Sequence, residues 1–274
     1  MKQQLLGIGI LFLSIFSSSA IFAENHTDSH STAIEQRRVS LRDSILAQIS
    51  GAQMPEKNLY IKSFGAKADG KTDCRSAFDN GDDNVAIKSG RDNDGWNAHS
   101  PSENIIIRNC HFKGLHAVVI GSEMSSGVRN VFVEDCDYAG YCKRGIFVKT
   151  NPDRGGFVEN LFVKNCKFGN VEDLFYVTSR YAGEGLQNHH FSTIKNIFVD
   201  GLSCHQVSEA ALVLQGTEAK PIENVVFNHV AVDKAKTGIS FENVIGIHMG
   251  DCNIGEKVGT PTQITAKDKI FDQK

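Results

Sequence analysis

Six times between residues 104 and 243 an asparagine heads a short run of β-favouring side chains. The runs are Ile105-Ile106-Ile107, Val131-Phe132-Val133, Leu161-Phe162-Val163, Ile197-Phe198-Val199, Val225-Val226-Phe227 and Val244-Ile245-Gly246, behind Asn104, Asn130, Asn160, Asn196, Asn224 and Asn243. The asparagines are 26, 30, 36, 28 and 19 residues apart, and a period of roughly 20–50 residues marks a repeat architecture. A second short strand lies between them: Val85-Ala86-Ile87, Val118-Val119-Ile120, Ile146-Phe147-Val148, Phe175-Tyr176-Val177, Leu212-Val213-Leu214 and Ile239-Ser240-Phe241. Each run is too short for an ordinary helix, and Gly, Asp and Asn punctuate the gaps. Two strands per repeat with no helix between them exclude a βαβ sheet. The pattern predicts an all-β chain that winds once per repeat and stacks coil on coil, a right-handed parallel β-helix.

Stacking gives each position a meaning. Ile105, Val131, Leu161, Ile197, Val225 and Val244, one after each asparagine, form an inward column. So do Cys110, Cys136, Cys166, Leu202, Val230 and Met249, six after it. The asparagines form a turn ladder, with amides bonding along the axis as Asn stacks do. Seven cysteines in an exported chain suggest disulfides with one thiol left over. The shared column instead reads Cys110, Cys136 and Cys166 as small buried hydrophobes. Cys136 and Cys142 are near enough in sequence to pair, Cys74, Cys204 and Cys252 carry no signal, and no Cys/His spacing suggests zinc.

The chain opens with Lys2, an apolar run from Leu5 to Phe16 and the small-residue stretch Ser17-Ser18-Ser19-Ala20-Ile21-Phe22-Ala23. That reads as a signal peptide over 1–23, too short in its apolar part for the ~20 residues of a spanning helix. Residues 24–57 read as linker and helix. Polar residues 24–31 precede the capping-box pattern Thr32-Ala33-Ile34-Glu35, and Leu41, Ile45 and Ile49 at helical spacing lead to Gly51. A short helix over about 33–50, capping one end of the domain, is expected. The β-helix takes 58–274. With 29 Lys+Arg against 32 Asp+Glu, no general affinity for nucleic acid or an anionic membrane is expected.

Ionisable groups interrupt the apolar pattern at three successive second-type strands: Asp82-Asp83 before Val85, His116 before Val118, and Lys149 after Val148. Coils stack about 4.8 Å apart, so two carboxylates, an imidazole and an ammonium share one strip. Such a set suits acid–base cleavage of a glycosidic bond in an anionic sugar.

These segments resemble the polygalacturonase family of glycoside hydrolases, family 28. The resemblance covers about residues 58–254. Phe64-Gly65-Ala66-Lys67-Ala68-Asp69-Gly70-Lys71-Thr72-Asp73 is similar to its N-terminal signature, and Gly81-Asp82-Asp83 with Ala86-Ile87-Lys88-Ser89-Gly90 to its paired-aspartate motif. His116 with Val119-Ile120-Gly121-Ser122-Glu123-Met124-Ser125 resembles its histidine motif, and Lys149 before Arg154-Gly155-Gly156 its basic motif. The resemblance implies a pectin-lyase-like solenoid and a secreted or periplasmic enzyme that hydrolyses α-1,4-galacturonosyl bonds of pectin with inversion. It further implies a monomer acting on pectic polysaccharide, without cofactor or metal. Asp82 would be the general acid, Asp83 would help activate water, and His116 would support the acid. Lys149, with Lys88, Arg91 and Arg154, would bind substrate. Inversion needs carboxyls ~6.5–9.5 Å apart, so the adjacent aspartates are expected to splay.

The chain departs from the family pattern in three places. No Asn-Thr-Asp motif precedes Gly81, and residues 74–80 run almost directly from the N-terminal signature to the paired aspartates. At ~20–50 residues per coil, several coils, about a hundred residues, are missing there. Phe147 stands where the family has the arginine of Arg-Ile-Lys, with Arg91, Arg144 and Arg154 as candidates to replace it. Leu115 and Ala117 stand where it has glycines, which is expected to crowd the approach of the sugar. Loss of one acid–base partner costs ~10²–10⁴ in rate, so slow hydrolysis or none is expected, with Phe147→Arg and the missing coils together restoring it. The alternative reading is a catalytically impaired relic or non-catalytic pectin-binding β-helix. A calcium-dependent lyase would need a larger carboxylate cluster than Asp82-Asp83.

Overall fold

The computed structural model describes residues 18–49, 82–183, 189–256 and 263–266. They fall in two units, Met1–Ser50 and Gly51–Lys274. The apolar start of the leader, the N-terminal signature, residues 74–80 and Cys74 lie outside the described residues.

The first unit is one helix, α1 (Ser18–Ile49). It starts well before residue 33, because no Gly or Pro interrupts 18–49 and nothing else in that stretch forces a helix to end. Thr32 and Glu35 are therefore interior positions rather than a capping box, and Glu35 accepts two hydrogen bonds of 2.7 Å from Arg38 one turn on. No described helix is long and apolar enough to cross a membrane.

The second unit is a right-handed parallel β-helix of about five turns. In chain order it holds β1 (Asp83–Ile87), α2 (Asp92–Ala98), β2 (Ser102–Arg108), β3 (His111–Phe112), β4 (His116–Gly121), β5 (Val128–Glu134) and β6 (Asp137–Lys149). β7 (Phe157–Thr178), β8 (Thr193–Gln215), β9 (Ile222–Gly250), β10 (Asn253–Glu256) and β11 (Gln263–Ala266) follow. Every pairing is parallel, and β1-β4-β6-β7-β8-β9-β10 is the main order. In β7, β8 and β9 the two strands of a coil run together around a corner, so Leu161–Val163 and Phe175–Val177 share one element.

The asparagine ladder is present. Asn104, Asn130, Asn160, Asn196 and Asn224 all sit at φ 55–61°, a left-handed corner that Asn tolerates better than most side chains. From Asn130 on, each Nδ2 donates to the Oδ1 of the asparagine one coil back at 2.8–3.0 Å. Five residues on, Asn109, Asp135, Asn165, Gly201 and His229 make a second left-handed corner. Between the corners the inward columns run in register: Ile105, Val131, Leu161, Ile197 and Val225 pair coil to coil.

The last coil corrects the sequence reading. Asn243 donates to the Gly216 carbonyl, not to Asn224. Gly246, at φ 68°, lies over Asn224 and takes the corner. Asp251, five residues later at φ 49°, takes the second corner. Asn253 pairs with Ala231, which sets Cys252 rather than Met249 over Val230. The thiol column is therefore Cys110, Cys136, Cys166, Leu202, Val230 and Cys252. Cys136 and Cys166 are buried, Cys110 and Cys252 are half-buried, and all four are free, as is Cys142.

Candidate active site

β1, β4 and β6 carry the ionisable strip on three adjacent coils. Asp83 pairs in register with His116 and His116 with Arg144, while Gly121 pairs with Lys149. Asn84 fastens the first two strands, its Nδ2 donating to the His116 carbonyl at 2.6 Å and its Oδ1 accepting from Lys113 N at 3.3 Å. The His116 amide donates to the Asp82 carbonyl at 3.0 Å.

The side chains converge. His116 Nδ1 is 2.9 Å from Asp83 Oδ1 and 3.2 Å from Asp82 Oδ1. Nδ1 hydrogen-bonds with Asp83 and makes an ion-pair contact with Asp82. Lys149 Nζ lies 3.9 Å from Asp83 Oδ2. His116 and Lys149 are buried; the Asp83 side chain is 11 % exposed and that of Asp82 66 %. One imidazole nitrogen engaging both carboxylates holds an oxygen of each within 4.8 Å of the other. The wide splay expected from the sequence is not the resting arrangement. The same three residues offer the donor atoms a cation needs, but the Lys149 ammonium beside Asp83 opposes one electrostatically.

The neighbours of this cluster are aromatic. Phe147, 2 % exposed, stacks on Tyr176 at 5.4 Å between centroids and 4° between planes. Tyr181 meets it edge-on at 6.3 Å. Lys149 Nζ lies 5.3 Å from the Phe147 centroid and 5.4 Å from that of Tyr181. The Arg144 guanidinium lies 4.8 Å from the centroids of both Phe147 and Tyr176. On its far side Arg144 Nε is 3.2 Å from Asp173 Oδ2. Burial raises the Asp173 carboxyl above the usual range, Arg144 and the Ala210 amide pulling the other way. Burial likewise raises the Tyr176 phenol.

Three further sequence candidates gather on acidic partners of their own. Lys88 Nζ is 3.0 Å from Glu123 Oε2, and that hydrogen bond holds Glu123 below the usual carboxylate range. Arg91 heads α2, with Nε 3.5 Å from Asp92 Oδ2. Arg154 is buried and donates from one nitrogen to both Asp92 oxygens at 2.8 Å, while its carbonyl accepts from Trp96 Nε1 at 2.9 Å. Arg154 thus ties α2 to the coils. Ala117 is fully buried in the core, so only Leu115, 39 % exposed, adds bulk outside. Sequence reasoning missed Asn84, Asp173, Tyr176 and Tyr181. Asp173 and Tyr176 were findable by extending the His116 and Phe147 columns one coil; Tyr181 lies beyond the strand and carried no such signal.

Residues 72–252 match the model of the family described as Glycosyl hydrolases family 28. The chain is 32 % identical over 161 residues to a probable polygalacturonase of Vitis vinifera, covering 57 % of this chain and 32 % of that protein. It is 31 % identical over 183 residues to a polygalacturonase of Ralstonia nicotianae, covering 60 % of this chain and 32 % of the other. It therefore spans about a third of the length of these curated relatives. A hyperthermoactive exopolygalacturonase from Thermotoga maritima superposes with a TM-score of 0.58 at 30 % identity, over 66 % of this chain and 40 % of that one. One family accounts for more than half of the sequence, and a solved relative shares the fold: this chain belongs to glycosyl hydrolases family 28.

Proposed function

We propose that this chain is an exported hydrolase that cleaves α-1,4-galacturonosyl bonds of pectin by inverting acid–base chemistry, at the site formed by Asp82, Asp83, His116 and Lys149. The observation that carries the reading is the convergence of two carboxylates on one imidazole nitrogen beside a buried ammonium. Asp82, the exposed member, gives its proton to the leaving glycosidic oxygen as the bond to the anomeric carbon breaks. Asp83 accepts a proton from the water that attacks that carbon from the opposite face. His116 orients both carboxylates, and Lys149 offsets negative charge on Asp83. The water needs ~6.5–9.5 Å between the carboxyls, so Asp82 must swing away from His116 when substrate enters, which its exposure permits. Lys88 and Arg91, both exposed, face the anionic polymer.

A single aspartate orienting water makes hydrolysis slow, by ~10²–10⁴ relative to a site with its full acid–base set. Reducing-end release from polygalacturonate is the test. Slow release by the wild-type chain, abolished by Asp82→Asn, is expected. Binding of polygalacturonate with no release even after prolonged incubation would support the non-catalytic alternative instead.

A further inference from the structure

Phe147 occupies the place of the family's arginine, yet a guanidinium stands directly above its ring. Arg144 is the register neighbour of His116, about 10 Å along the axis from Asp83, two coil spacings of ~4.8 Å. Its guanidinium carbon lies 4.8 Å from the centroids of both Phe147 and Tyr176. Stacking uses the faces of a guanidinium and leaves its N–H fork open. Its Nε is buried and has no hydrogen-bond partner; the Asp173 contact at 3.2 Å is an ion pair without hydrogen-bond alignment. Arg154 is committed to Asp92, and Lys149 is 3.9 Å from Asp83. Arg144 is thus a cation over two rings whose Nε lacks a hydrogen-bond partner, next to the cluster proposed for catalysis.

Building on the proposed function, we propose that Arg144 is the residue that reads the carboxylate of a galacturonate unit next to the cleaved bond, with Asp173 as its built-in competitor. The substrate carboxylate displaces Asp173 from the guanidinium. Asp173 faces Arg144 from β6, Tyr176 and Glu172 on its own strand, and Glu209 on β8. Glu172 in turn accepts from the Tyr141 hydroxyl at 3.2 Å. Burial favours the protonated form of Asp173, so mild acidification weakens the competitor before it neutralises an exposed sugar carboxylate. Galacturonan binding strengthens accordingly.

The test is calorimetric titration of the full chain with oligogalacturonate and with its methyl ester. Wild type is expected to prefer the free acid, and more so as pH falls from 7 towards the carboxyl range. Arg144→Met loses that preference by about 10–100-fold, the range of a charge-assisted hydrogen bond, with little change for the ester. Arg144→Lys recovers part of it, since a point charge lacks the fork. Asp173→Asn tightens binding of the acid at pH 7 and flattens the pH dependence, which keeps the idea testable if Arg144→Met does not fold. Wild-type affinity in either Arg144→Met or Asp173→Asn overturns the inference, as does equal loss for acid and ester. Binding of neither ligand by wild type overturns the proposed function as well.

Discussion

Asn160 shows how one side chain serves both backbone and stack. Its Nδ2 donates to Asn130 and its Oδ1 accepts from Asn196 at 3.0 Å, while its backbone sits at φ 59°. Asn160→Ala strands an amide group on each neighbour, at ~1–3 kcal/mol for an unsatisfied polar group, and places Ala in a conformation costing ~1–2 kcal/mol. Unfolding by urea should show a loss of about 2–5 kcal/mol. Asn160→Gly keeps the corner without strain and should lose about 1–2 kcal/mol less. Equal losses would mean the corner conformation contributes nothing. Phe147 argues against the repair its sequence context suggests. An arginine there would lose the Tyr176 stack and add a third cation between Arg144 and Lys149. Phe147→Arg should therefore lower stability by about 3–5 kcal/mol, the cost of an uncompensated buried charge, and should not raise the rate of reducing-end release. Recovered activity in a stably folded variant would contradict this packing.

At the scale of elements, the columns decide what a sequence can reveal. The first corner is all asparagine until the last coil, so it was legible as a repeat. The second corner holds Asn109, Asp135, Asn165, Gly201, His229 and Asp251, which share only tolerance of a left-handed backbone, so no single residue type announces it. The final coil misled because Asn243 lies three residues before Gly246, and glycine meets the same conformational demand without looking like a ladder member. α2 was invisible for another reason. It is one short helix with Gly95 inside it, and Gly95 is required because a Cβ there would crowd Ser125 and the Gly90 carbonyl. Its tie to Arg154 spans 62 residues, beyond any local pattern. The candidate site was legible where equivalent strand starts carried Asp83 and His116, whereas Asp173, outside any motif, emerges only when the His116 column is carried on through Arg144. Asp173 also gives a pH signature. Its folded carboxyl titrates above the unfolded one, so the stability it confers is greatest below the unfolded value near 3.9 and is lost as pH rises through the folded value. Urea midpoints of wild type should therefore fall relative to Asp173→Asn as pH rises through that window. A constant difference across pH would show that Asp173 titrates alike in both states.

For the whole molecule, a parallel β-helix turns sequence distance into axial distance, so residues 33 positions apart, Asp83 and His116, become hydrogen-bonded neighbours. The aromatic neighbours and the cations beside them follow from the same stacking, one coil contributing Phe147 and the next Tyr176. This geometry leaves the distance between Asp82 and Asp83 to side-chain rotation rather than to the backbone, and that distance fixes the stereochemical course. The most direct measurement of the central claim is proton NMR of the first products released from polygalacturonate. The account predicts that the new reducing end appears first as the β-anomer, with Asp82→Asn giving none. An α-anomer would mean the carboxyls act at their resting separation with retention, and an unsaturated end would mean elimination; either would contradict inverting hydrolysis at this site.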